Sequence, residues 1–199
     1  AAAATVGLGV TMQTLVTNTL QVAMKFEKVE KALGAVTKSA AITATQLAFV
    51  QEVSNQAGLK FTDVAASYSK YLAASRAAGQ TYEQTAEQFK GVALAAGTMS
   101  LTVEDTQGVF KALEQILSKG TVQSEELRGQ LGDRFPGAFA IAAKAVGVTT
   151  SALNDMLKKG QVISKEFVPA FVKAMTTEYN ISLDKPIDTL QAALNRGTN

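Results

Sequence analysis

The sequence predicts an all-α fold: a long N-terminal heptad-patterned helix followed by a compact bundle of short helical hairpins. Three observations predict it. Apolar residues recur at helical spacing along most of the chain, the breaks between apolar segments fall at glycines, and strand signals are nearly absent. With 47% hydrophobic residues among 199, the chain can bury a sizeable core. The expected division is residues 1–36 for the long helix, a candidate coiled coil, and residues 37–199 for the helical domain.

The first element rests on its period. Leu8, Met12, Leu15, Thr19, Val22, Phe26, Val29 and Leu33 are spaced alternately four and three apart, with Thr19 the one polar interruption. An a/d seam sustained over more than three heptads favours pairing with copies of itself. An amphipathic helix packed on its own domain is the plainer reading of the same residues. Residues 1–24 carry no charge, yet Thr5, Thr11, Gln13, Thr14, Thr17, Asn18, Thr19 and Gln21 interrupt them. That is too polar for the roughly 20 predominantly apolar residues of a spanning helix.

After Gly34 the helices are expected to be shorter and regularly punctuated. Apolar and Ala-rich stretches end at Gly58, Gly79, Gly97, Gly120, Gly147 and Gly160, where glycine suits a helix closing with positive φ. Each stop precedes a candidate N-cap: Thr62, Thr81, Thr102, Ser124, Thr149 or Thr150, and Ser164. Thr81 and Gln84 fit a capping box, and Glu125 and Glu126 suit the positive end of a helix dipole. Lys119, Lys158 and Lys159 suit the negative ends.

Two internal similarities accompany this punctuation. Thr81-Tyr-Glu-Gln-Thr85 followed by Phe89 matches Thr102-Val-Glu-Asp-Thr106 followed by Phe110, at an offset of 21 residues. Residues 112–127 (ALEQILSKGTVQSEEL) match residues 152–167 (ALNDMLKKGQVISKEF) at an offset of 40, with half of the sixteen positions identical. The second pair reads as two copies of a helix, a Lys-Gly stop, a Val-containing loop and a capped helix.

Composition removes most chemistry. The chain has no Cys and no His, which excludes disulfides, thiolate or imidazole metal sites and any Ser-His-Asp arrangement. Its net charge is +2, with no run of like charge, so no nucleic-acid footprint stands out. Lys119, Arg128, Arg134 and Lys144 are scattered, and Phe135 and Phe139 read as core rather than as stacking platforms. Glu125 and Glu126 are adjacent and point about 100 degrees apart on a helix, so they cannot flank one bond. Glu126 could meet Asp133 or Glu166 only through tertiary structure, and a solvated first turn is the simpler expectation for both glutamates.

The region around Gly129 and Gly132 lacks the Gly-Lys-Ser/Thr of a phosphate loop. Two glycines in a helical stretch cost about 1 kcal/mol each relative to Ala, and close approach of another backbone is the simplest reason for them. Phe135-Pro136-Gly137 then predicts a sharp corner, with Pro136 at the first position of a helix over Ala138 to Val146. The chain opens on four alanines without a Met, which points to a processed protein or an excerpt of a longer one.

The run over residues 112–138, ALEQILSKGTVQSEELRGQLGDRFPGA, resembles the tape measure domain of tailed-bacteriophage tail tape measure proteins. The family pattern falls on Gln115, on Ser118 to Gly120, on Glu125, Glu126, Leu127, Arg128, Gly129, Gln130, Leu131 and Gly132, and on Pro136, Gly137 and Ala138. Asp133 stands where the family usually has Glu, and Phe135 where Leu is common. The likeness continues through residues 143–149, Leu153, Met156, residues 160–162 and residues 167–169. It reaches back more weakly to Ala57-Gly58 and Ala78-Gly79, covering roughly residues 48–175 in all.

The resemblance implies a structural component of the virion rather than an enzyme: no catalytic residue, no cofactor and no metal. It implies several parallel copies, three as the working number, in the lumen of the tail tube or at the tail tip, after assembly in the host cytoplasm. Tail tube and tail hub or initiator proteins are the implied partners, with contact to the host membrane at genome ejection and no specific nucleic acid. Residues 115–137 become a packing joint, and Leu8, Met12, Leu15, Val22, Phe26, Val29 and Leu33 the oligomer seam. A muralytic (peptidoglycan-hydrolysing) or membrane-active module aiding genome entry is the alternative. Fully helical, 199 residues would rule about 300 Å at 1.5 Å per residue. The glycine stops make a compact module instead, so the ruler is expected mainly in chain outside this segment.

Overall fold

The structure, a computed structural model, describes residues 23–197. Every regular element among them is helical. Helix α1 covers residues 23–37, followed by α2 (Ala40–Ala57), α3 (Phe61–Ala77), α4 (Tyr82–Thr98) and α5 (Val103–Lys119). A π-helix spans Glu125–Leu131, and α6 (Ala138–Val146), α7 (Thr150–Lys158), α8 (Ser164–Glu178) and α9 (Leu190–Arg196) complete the order.

The punctuation expected from sequence holds at most stops, and the exceptions have physical reasons. Thr81, Thr102 and Thr149 are N-caps, and the capping box is complete, with the Gln84 N–H donating to Thr81 Oγ1 at 3.2 Å and the Thr81 N–H to Gln84 Oε1 at 2.9 Å. Thr62 is no cap, because α3 already begins at Phe61 behind Lys60. Ser164 is the first residue of α8, and its N–H donates to Gly120 O at 3.0 Å. Ser124 makes no side-chain cap, while Ser39 and Thr189, not singled out from sequence, both do. Gly97 does not end α4. It lies within the helix where a Cβ would come 2.2 Å from Ala57 O, so a bare backbone is needed for α4 to pass the end of α2.

Helix α3 packs against α2, α4 and α5; α4 also meets α2 and α8, and α6 meets α7 and α8. The rings of Tyr68, Tyr71, Phe89 and Phe110 form the centre of this packing. Phe89 and Phe110 stack with centroids 4.2 Å apart, and Tyr68 meets Phe89 edge-on at 4.8 Å. Those two phenylalanines are the matched positions of the 21-residue similarity, so α4 and α5 bring equivalent faces together. Edge-on and offset contacts contribute about 0.5–1.5 kcal/mol each beyond burial. Buried hydroxyls need partners: Tyr68 donates to Gln46 Oε1 on α2, Tyr71 donates to Gln88 Oε1 on α4 at 2.8 Å, and Ser75 pairs with Thr85 at 2.7 Å.

Helix α1 runs through Gly34 to residue 37 and joins the same core. Val29 and Leu33 are buried at 6% and 0% exposure, and the Phe26 ring stacks on Phe61 at 5.7 Å. At these seam positions the helix is packed on its own domain. Leu8, Met12, Leu15, Thr19 and Val22 lie outside the described residues.

The 40-residue similarity also has a spatial counterpart. The matched loops lie side by side, with an isolated antiparallel bridge between Thr121 and Ile163 and a bond from the Val122 N–H to Val162 O at 2.9 Å. Val122 and Val162 are themselves matched positions, and both are buried.

Burial, aided by the neighbouring phenols Tyr82 and Tyr68, pushes the Tyr68 and Tyr71 hydroxyls well above the usual tyrosine range. With folded values raised, the tyrosines' contribution is fully present below the unfolded pKa near 10 and is lost as pH rises above it. Urea unfolding should therefore show stability flat up to about pH 10 and then falling toward pH 12, by about 1.4 kcal/mol per pH unit for each tyrosine at the steepest. The Tyr68→Phe/Tyr71→Phe chain should show a correspondingly flatter profile.

Candidate functional site: a buried carboxylate under a π-helical corner

Helix α5 closes at Gly120 in the left-handed region, with φ 78°. Val122 then enters the core, and the chain winds into the π-helix rather than an α-helix. Its bonding runs over five residues, as in the Gly132 N–H to Leu127 O contact at 3.1 Å. Glu126, Leu127 and Leu131 face inward at 1%, 0% and 0% exposure, while Glu125 and Arg128 face solvent. π-helical turns are rare and frequently mark functional positions.

The two glutamates thus have opposite fates, and the expectation of a solvated first turn fails for Glu126. Its Oε1 accepts a hydrogen bond from the Lys119 ammonium across the loop. Lys119 is 47% exposed, so the pair has one foot in water. That hydrogen bond raises the Lys119 pKa above its ordinary value; desolvation opposes the shift, and the charges of Glu126 and Glu125 assist it. Glu126 Oε2 and Gln115 Oε1 are buried with no hydrogen-bond partner.

Nor does another backbone approach the two motif glycines. A Cβ at Gly132 would lie 2.3 Å from Arg128 O, so the crowding comes from the turn's own backbone. A Cβ at Gly129 would meet nothing within 4 Å. The arginines of the motif do the bridging. Arg128 holds its guanidinium 3.5 Å over the Phe139 ring of α6 and donates to Asn154 Oδ1 of α7 at 3.4 Å. Arg134 donates to Gln130 O at 2.8 Å, and its Nε and Cδ occupy the space where a Cβ on Gly108 would sit, at 2.0 and 2.3 Å. Gly108 thus gives the Arg134 side chain its place on α5, which sequence reading missed. A glycine in the middle of a strongly amphipathic helix was the available signal.

The corner itself is held by α8. Phe135 is buried and meets the Tyr179 ring edge-on at 5.4 Å, while the Tyr179 hydroxyl donates to Pro136 O at 2.6 Å. Helix α6 has the expected bounds, but its N-cap is Gly137 at φ 73°, so Pro136 stands before the helix rather than at its first position. The missing N–H of proline matters less there than its fixed φ, which sets the corner.

The motif residues from Gln115 to Gly137 are brought together as a joint between α5, α6, α7 and α8. Of these, Lys119 and Glu125 line an open depression of about 590 Å³ together with Gln123, Ser124 and Leu157, while a more enclosed cavity of about 370 Å³ is lined by the α2–α3 and α4–α5 corners and α9. Glu126 is committed to Lys119, and Asp133 and Glu166 are exposed. Among the described residues no group of three or more Asp, Glu, His or Cys could hold a metal ion, and no helix is long and apolar enough to cross a membrane.

Comparison with known proteins adds the following. A family model described as "Tape measure protein" matches residues 17–199. The chain is 35% identical over 127 residues to a protein named "Probable tape measure protein" from Salmonella phage Felix O1 (isolate Felix O1-VT1). That match covers 64% of this chain and 17% of the relative, so the chain corresponds to a small part of a much longer protein. No solved structure matches.

The joint predicts a stability series, readable by urea unfolding. Lys119→Met leaves the buried Glu126 carboxylate unpaired and should lower the urea midpoint. Gly132→Ala should cost about 1–3 kcal/mol through overpacking. Gly129→Ala should instead stabilise by about 0.5–1 kcal/mol, because its Cβ enters open space.

Proposed function

The chain belongs to the tape measure protein family, and we propose that it is a folded module of a phage tail tape measure protein, with a structural rather than an enzymatic role. In this reading it resides in the tail, in the tube lumen or at the tip, and enters the virion from the host cytoplasm during assembly. The observation that supports it best is the match over residues 17–199, together with a family motif that folds into a packed joint rather than a catalytic cleft. The length-setting part is then chain outside this module, since the match spans 17% of the related protein. A compact bundle supplies little reach for its residue count, whereas an extended helix supplies 1.5 Å per residue.

The partners in this reading are tail tube and tail hub or initiator proteins, together with further copies of the chain. Self-association would use the seam on the N-terminal side of Val29, because Val29 and Leu33 are taken up by the chain's own core. Contact with the host membrane during genome ejection belongs to the same proposal.

Electron microscopy of tails tests the division of labour. In-frame deletion in the chain outside the module should shorten tails in proportion to the residues removed. Lys119→Met combined with Gly132→Ala, which disrupts the joint, should reduce the number of finished tails without changing their length. Tails shortened by the joint variants would overturn the assignment. Sedimentation of the 199-residue chain tests self-association: polar replacements at Leu15 and Val22 should lower its mass, and an unchanged mass would exclude the seam.

A further inference from the structure

After α8 the chain runs without regular structure over residues 181–189 and then forms α9. This segment returns to the end of α2 and is held there chiefly by polar contacts. The Ile187 N–H donates to Gln56 O at 2.8 Å, and Asn195 Nδ2 donates to Gly58 O at 2.7 Å. Arg196 Nη1 reaches both Ile187 O at 2.8 Å and Asn55 O at 3.5 Å. Carbonyls at the C-terminus of a helix lack partners within it. At the end of α2, Ser54 O and Asn55 O accept from the Leu59 and Gly58 N–H groups, whereas Gln56 O, and Gly58 O just beyond the helix, accept from this distant segment.

Glycines make the seat. A Cβ on Gly58 would fall 2.1 Å from Ala192 Cβ, and one on Gly97 would fall 2.7 Å from Ile187 Cδ1. Ala192 and Asn195 are buried, Ile187 is half-buried, and Leu194 is 59% exposed. Beneath the segment lies the cavity of about 370 Å³, lined by Thr189, Ala192 and Asn195 from above and by Val64, Leu101 and Phe110 from below. Well-packed interiors leave few voids of that size. Elements with few buried apolar contacts open first when a protein opens locally.

We propose that residues 187–197 form a detachable strap, which opens as a unit while the bundle stays folded and uncovers the cleft between the α2–α3 and α4–α5 corners. The irregular stretch 181–186 supplies the hinge, since loop residues can absorb the change in φ and ψ. Closing the strap requires Gly58 and Gly97 to stay bare and Asn195 to reach the Gly58 carbonyl.

The absence of native cysteine permits a direct test on the 199-residue chain. Thr106 is 6% exposed, lines the cavity and has a hydroxyl without a hydrogen-bond partner, so Thr106→Cys removes no bond. A small thiol reagent should label this cysteine at least tenfold faster when Asn195→Ala is added. Amide exchange at Phe89 and Phe110 should rise by about the same factor in that pair, because the substitution raises the free energy of the closed state alone, while keeping the steep urea dependence of global unfolding. Without the substitutions, the amides of Ile187, Ala193 and Gly197 should exchange through openings insensitive to low urea, whereas those of Phe89 and Phe110 should require global unfolding. The proposal fails if strap and core amides share one urea dependence, or if Asn195→Ala leaves labelling unchanged.

Discussion

A carboxylate at 1% exposure must be paired, and the Glu126–Lys119 contact sets where the chain can go after α5. Because Lys119 is the last residue of α5, the loop that follows has to turn back at once. Gly120 supplies the left-handed turn, and Val122 anchors the loop beside Val162. The wide π-helical winding then lets Glu126, Leu127 and Leu131 all face inward while Arg128 faces out to stack on Phe139. Gly132, the Phe135–Pro136 corner and the direction of α6 follow from that winding, and Tyr179 fixes the result against α8. One polar contact thus organises the join between four helices.

What the sequence disclosed was chiefly local. Thr81, Thr102 and Thr149 cap helices because a threonine beside a helix start acts through its immediate neighbours. The bounds of α6 were legible because Pro136-Gly137 and Gly147 bracket it. Internal matches at offsets of 21 and 40 proved to be contacts as well, through the Phe89–Phe110 stack and the Val122–Val162 pairing. Properties that depend on distant chain were not legible. Leu127 and Leu131, four apart, fit an α-helix as well as a π-helix, so nothing local marked the wider winding and Glu126 read as solvated. Gly97 read as a stop because its role depends on Ala57, some forty positions away, and Gly108 depends likewise on Arg134.

A motif this dense in glycine and charge would, in many folds, cradle a phosphate or a substrate. Here Lys119, Glu126, Arg128 and Arg134 hold backbone turns and a ring face while Glu125 and Asp133 face solvent, and the glycines differ in purpose: Gly120 and Gly137 supply left-handed turns, Gly132 relieves a crowded one, and Gly129 faces open space. Together these contacts tie the end of α5 to α6, α7 and α8 at one corner.

The paired loops have a mechanical consequence. Backbone bonds from the Val122 N–H to Val162 O and from the Ser164 N–H to Gly120 O close residues 123–161 into a ring of structure. Tension applied along the chain on either side would pass across those two bonds and bypass everything between them. The π-helix, the corner, α6 and α7 would carry no load until the bonds parted. Under tension those two bonds would therefore part before the residues they enclose were stretched.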